Sequence, residues 1–185
     1  MKKLIIGALV GGIILFIWSF MSWGLLNLHG AEQKYTPKQD SILAYLGNQF
    51  SEDGAYFMPT YPPGTSRDDM EKQMQASVGQ PWAKVVYHKK MDGMNKMFMN
   101  MARGLLVDFV MICILCWLLL KIPNARFSTI FMANLAVGLL IFLGGPYMMH
   151  IWFGSFDLMA HLADVFISFG ATGLWLGWWL RRGST

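Results

Sequence analysis

Asp157, His161 and Asp164 are spaced i, i+4 and i+7. In a helix that spacing sets all three on one face, and Ser168 continues the stripe. Carboxylates and an imidazole on one face can hold a divalent metal, relay a proton or cation, or pair with a base. His150, Asp108 and Arg103 complete the polar set of the apolar segments. A metal would take His161, His150 and a carboxylate from Asp164, Asp157 or Asp108. The structural alternative, which weighs more, pairs Arg103 with Asp164 or Asp157 and gives Asp108 a helix cap or a histidine.

A second constellation is soft. His88 is followed by Met91, Met94, Met97, Met99 and Met101, and thioethers beside an imidazole suit Cu(I). Met94, Met97 and Met101 also follow the i, i+3, i+7 spacing of an ordinary apolar helix face, and methionine fills irregular gaps. Cys113 and Cys116 lie in an apolar run with nothing nearby to acidify a thiol, so they are packing residues. A haem held by two histidines would need a pair within the apolar segments, and His161 alone comes near. Nothing in the sequence calls for a cofactor.

These side chains have to be positioned by membrane helices. Of the 185 residues, 55% are hydrophobic and 14% charged, against about a quarter charged in soluble domains. A span needs roughly 20 apolar residues. Four segments qualify: 1–28, about 104–121, about 127–143 and about 156–180. The third is read as stopping at Gly144-Gly145-Pro146. The first begins Met1-Lys2-Lys3 like a signal sequence, but its apolar stretch is long and lacks a small-x-small cleavage pair, so it reads as a retained signal anchor. Gly7-x-x-x-Gly11 and Gly173-x-x-x-Gly177 are surfaces for close helix approach. The fold class is thus an α-helical polytopic membrane protein: a four-helix transmembrane bundle with a small α/β cap between helices 1 and 2.

Charge sets the orientation. Lys2, Lys3, Lys121, Arg126, Arg181 and Arg182 share their segments with no acid, whereas residues 29–103 hold nine bases and eight acids. The positive-inside rule then places both termini in the cytoplasm and 29–103 outside. The net charge of +4 is topological, which removes a nucleic-acid partner. At 1.5 Å per residue, Asp164 lies about 25 Å above the basic end and Asp108 about 20 Å, so both are expected in the outer leaflet at similar levels.

The outer segment is expected to rest on the membrane as a cap. Thr36-Pro37-Lys38-Gln39 reads as a helix start running to about Gln49. Residues 55–58 and 82–90 read as strands, and Ser66 caps a helix over 67–77. Within this segment the histidines are His29 and His88, far apart in sequence, and no nucleophile or zinc-hydrolase motif accompanies them. The chain is similar in general plan to four-span proteins of bacterial inner membranes, and no residue role follows from that. Three functions are weighed. A non-enzymatic subunit or accessory factor, with the lipid bilayer and protein partners or further copies around it, is favoured because no catalytic motif is present. A metal-binding or redox protein built on the His/Asp cluster is the alternative, and an oligomeric transporter or channel component is the third.

Overall fold

The computed structural model describes residues 1–182. The chain forms two compact units, Met1–Lys34 with Gly93–Thr185, and Tyr35–Asp92.

The first unit holds four helices long and apolar enough to cross a membrane. The first is α1 (Lys2–Phe20), extended by a wider π-helical turn over Met21–Leu25. The apolar run would allow it to continue to Leu28, but Asn27 takes a left-handed backbone (φ 48°) and reverses the chain. Asparagine is among the few side chains that tolerate this region. The Leu26 N–H then reaches back five residues to the Met21 carbonyl, and the Leu28 N–H to that of Ser22. A short 3-10 turn, Gly30–Glu32, follows.

In the second unit lie α2 (Gln39–Gln49), β1 (Gly54–Met58), α3 (Arg67–Ala76) and β2 (Ala83–Tyr87). The strands pair antiparallel with Gly54 opposite Tyr87 and Met58 opposite Ala83. α2 starts two residues after Pro37, where Thr36 Oγ1 accepts the Lys38 N–H. Ser66 caps α3 as its sequence suggests: its Oγ accepts the Asp69 N–H and donates to the Asp69 carboxylate. Phe50, stacked on Tyr56 and edge-on to Tyr87, ties the helix to the hairpin. None of the residues 35–92 is buried, in keeping with a unit too small to exclude water from a core.

The second span, α4 (Met94–Leu119), is one unbroken helix, so the methionine-rich segment runs straight into the apolar one. The third is α5 (Phe127–Phe142), and here the expected stop is absent. Gly144-Gly145-Pro146 lies within a π turn (Leu143–Tyr147) that leads into α6 (Met148–Phe153), making a 27-residue span. Proline lacks an N–H and clashes with the carbonyl four residues back. A widened turn absorbs both effects, as π-bulges do. The helix ends instead at Gly154, in the left-handed conformation that glycine adopts freely. The fourth span is α7 (Leu158–Trp179).

α1 packs against both α4 and α7, and α7 against both α1 and α5, while α4 and α5 share no comparable face. α1 and α7 form the central pair, with α4 packed chiefly on α1 and α5 chiefly on α7, and Leu119, Ile130 and Leu180 bring the ends of α4, α5 and α7 to one cleft. Glycines set the seams. A Cβ on Gly12 would lie 2.9 Å from the backbone of Phe109, so α1 and α4 touch main chain to main chain there. Gly7 and Gly11 face Cys116 and Ile112 of α4, with Trp179 and Thr172 of α7. Gly173 and Gly177 face Phe131 and Phe127 of α5. Both glycine pairs therefore lie in seams between helices of this chain. Trp179 donates its indole N–H to the Lys3 carbonyl, and Lys3 Nζ donates to the Leu180 carbonyl. The start of α1 and the end of α7 are thereby held together. Leu180 and Arg181 line one cleft with residues 122–126, so the basic ends gather on one side.

Candidate functional site

At the opposite end of α1 and α7 lies the most polar spot of the first unit. Asp157 is the N-cap residue of α7. Such a side chain ordinarily accepts an N–H from the first turn, but here it turns away to His29. His29 Nδ1 stands 2.6 Å from Asp157 Oδ2, and Nε2 stands 2.9 Å from Asp164 Oδ2. One imidazole thus bridges two carboxylates about two turns apart along α7. The other oxygen of Asp164 accepts the indole N–H of Trp18 at 2.9 Å.

Burial makes these bonds matter. His29 is 1% exposed and Asp157 5%, and buried charges persist only when paired and hydrogen-bonded. Each ring nitrogen faces a carboxylate oxygen, so the imidazole and the two acids must hold two protons between them. With both acids ionised this is an imidazolium between carboxylates. Trp23 covers the ring, stacked at 3.8 Å and 4° from parallel. His161 stands edge-on to His29 at 4.7 Å, with its Nε2 3.3 Å from Asp157 Oδ2. Glu32 accepts the backbone N–H of Phe156 and fastens the segment after α1 to the start of α7.

The structure therefore brings Asp157, His161 and Asp164 onto one face, and Ser168 follows them, donating to the Asp164 carbonyl. It leaves the rest of the expected set elsewhere. His150 Nδ1 bonds the Ser155 carbonyl and hydroxyl, closing the turn after α6. Arg103 is exposed on α4 and, among the described residues, forms no ion pair with these acids. Asp108 lies level with Gly12, whose absent Cβ would meet its backbone. Ile112 and Thr172 both face Gly11, and counted outward from them Asp108 lies about 6 Å and Asp164 about 12 Å away. Among the described residues Asp108 has no hydrogen-bond or ion-pair partner.

The soft set is divided. Met94, Met97 and Met101 are exposed on α4, while His88 belongs to the second unit and stands 3.5 Å from Asp53. The Lys89 N–H, with His88 beside it, holds the Asp53 carboxyl below the usual range. Cys116 is buried against α1, where a Cβ on Gly7 would meet its sulfur at 3.2 Å.

Sequence reasoning missed His29, read as a loop histidine, and did not single out Trp18. Two signals were present. Asn27 two residues earlier marks a chain reversal, and an indole within a span needs an acceptor once it is buried. Among the described residues, the His/Cys/Asp/Glu group with donor atoms close enough to hold a metal is His29, Asp157 and His161. No family model matches the chain, and neither a curated protein nor a solved structure does.

Proposed function

We propose that this chain is a non-enzymatic subunit or accessory factor of a membrane complex in the bacterial inner membrane. Both termini are cytoplasmic and residues 29–103 lie outside. The gathering of Lys3, Arg181 and the 122–126 loop at one end of the helices supports the orientation.

The observation that carries the subunit reading is Asp108. It sits about halfway along α4, about one turn before Ile112 and two before Leu115 on the buried stripe, without a partner among the described residues. A carboxyl at membrane depth is costly and ordinarily faces protein or a partner group. This chain does not supply that group, because Gly12 occupies the facing position. Asp108 is only partly buried, and α4 has no second neighbour comparable to α1. Toward the outer end of α4 the stripe that carries Asp108 continues through Leu105, Gly104 and Met101, all exposed. The partner is another protein's membrane helix, seated along α4, that offers a basic or amide donor at mid-span depth.

The test is site-specific photo-crosslinking from Met101 and Leu105, which share the face of Asp108, in native membranes, followed by mass spectrometry. The expected product is one stoichiometric partner whose span carries such a donor, and Asp108→Asn reduces its yield at least tenfold. A wild-type chain that crosslinks only to lipid or to itself, or a partner retained undiminished by Asp108→Asn, would overturn the reading.

A further inference from the structure

The latch between α1 and α7 closes without His161. His29, Asp157, Asp164 and Trp18 satisfy one another. His161 approaches an oxygen of Asp157 that His29 already uses at a much shorter distance, and its side chain is 29% exposed. Its ring is nonetheless held edge-on against His29, with Nε2 turned to that common oxygen. A latch needs no second imidazole there. A metal site does.

The geometry points to a binding site for a divalent first-row transition ion, zinc foremost, held by His29, Asp157 and His161. One donor atom from each residue lies within 4.8 Å of the other two. Donors about 2.1 Å from a tetrahedral ion stand about 3.4 Å apart, so the set closes on an ion by side-chain adjustment. Two imidazoles and one carboxylate form a borderline donor set that suits zinc and its neighbours. Calcium and magnesium prefer oxygen throughout. Three protein ligands leave a fourth position for water or an external donor.

Two further features fit an ion better than a latch alone. When His29 Nδ1 binds the ion, Nε2–H still donates to Asp164, and Asp164 is held in turn by Trp18. A carboxylate behind the liganding histidine, itself anchored, is the usual support of a metal-bound imidazole. The charge also balances. The ion displaces the proton between Nδ1 and Asp157 Oδ2, which leaves to solvent. Two positive charges then face the carboxylates of Asp157 and Asp164, with both histidines neutral. Asp164 and Trp18 are positioning residues in this site, and His161 is a ligand.

The test uses the full-length protein, purified in detergent through a tag without histidine, and titrated with Zn2+ and separately with Co2+. The expected result is one ion per chain, with visible cobalt absorption of a nitrogen and oxygen site. His161→Ala weakens binding at least tenfold while the metal-free protein melts as the wild type does. His161→Gln serves if the alanine variant fails to fold. Asp164→Asn retains the stoichiometry but weakens affinity about 10-fold to 100-fold. His88→Ala, on the second unit, leaves binding unchanged. The proposal is overturned if wild type holds no stoichiometric ion, if the His161 variants bind as tightly as wild type, or if the ion is lost with His88 instead.

Discussion

Two polar places in the apolar helices of this chain have met opposite fates. At the far end of α1 and α7, two acids are bridged by one histidine, and one of them is bonded again by a tryptophan. Midway along α4, Asp108 has no hydrogen-bond or ion-pair partner among the described residues. The difference lies in what α1 presents at each level. At its end α1 widens into a π turn and reverses at Asn27, which swings an imidazole back over α7. At Gly12 it presents no side chain, so α4 comes close enough for main chains to touch. A glycine seam gives tight packing and leaves a facing polar group without a partner. The chain has spent its polar partners on joining α1 to α7, and left α4 to find one elsewhere.

The comparison can be broken most forcefully at the bridge. His29→Ala leaves two carboxylates facing each other, one of them buried, with no cation between them. Removing one member of a buried pair costs about 3–5 kcal/mol. Thermal unfolding of the purified protein in detergent should show that loss, and an unchanged melting temperature would dismiss the bridge as decoration.

Gly12→Ala comes next. Its Cβ would meet the Phe109 backbone at 2.9 Å, where no flexible end can yield, so the α1–α4 seam opens at a cost of about 1–3 kcal/mol. Gly24→Ala, whose Cβ meets nothing closer than 4.0 Å, is the control and should change melting far less. Equal effects would mean that the seam is not set by Gly12.

Trp18→Phe keeps the ring and removes the N–H donated to Asp164. A hydrogen bond to a charged group contributes about 1.5–3 kcal/mol, and the partial exposure of Asp164 places this variant at the lower end. A double variant with Asp164→Asn should lose less than the sum of the two single losses. Strict additivity would deny the contact.

The smallest effect is in the second unit. Asp53 accepts the Lys89 N–H just beyond the hairpin, and that bond holds its carboxyl below the ordinary range. A lowered folded-state value adds stability that is present above the unfolded-state pKa and lost as pH falls through the folded one. Protection of the Lys89 amide against hydrogen exchange, corrected for intrinsic rates, should therefore fall in acid. Asp53→Asn should flatten that dependence.

Periodicity within one helix was legible from the sequence, and coincidence between helices was not. The i, i+4, i+7 spacing placed Asp157, His161 and Asp164 on one face because the α-helix alone decides it. His29 joins them across 128 and 135 residues by a reversal that depends on one asparagine. The pairing of the helices was equally hidden. A loop as short as residues 120–126 implies that α4 and α5 are each other's main neighbours, yet the glycines of α1 and α7 make α1 the main partner of α4 and α7 that of α5. Gly144-Gly145-Pro146 reads as a stop by composition, and becomes a π turn because the helix continues on both sides. In the second unit, cap and turn chemistry are local, and there Ser66 and the strand pair were foreseeable.

The same substitution at the two acids tests the contrast most directly. Asp164→Asn and Asp108→Asn remove one charge each at the same side-chain size, and both are read by thermal unfolding of the isolated full-length protein in detergent. Asp164→Asn should lower the melting temperature, because it weakens a bridge inside the chain. Asp108→Asn should leave it unchanged or raise it, because no group among the described residues bonds that carboxylate. An Asp108→Asn variant that melts as early as Asp164→Asn, or an Asp164→Asn variant that melts like the wild type, would contradict the account.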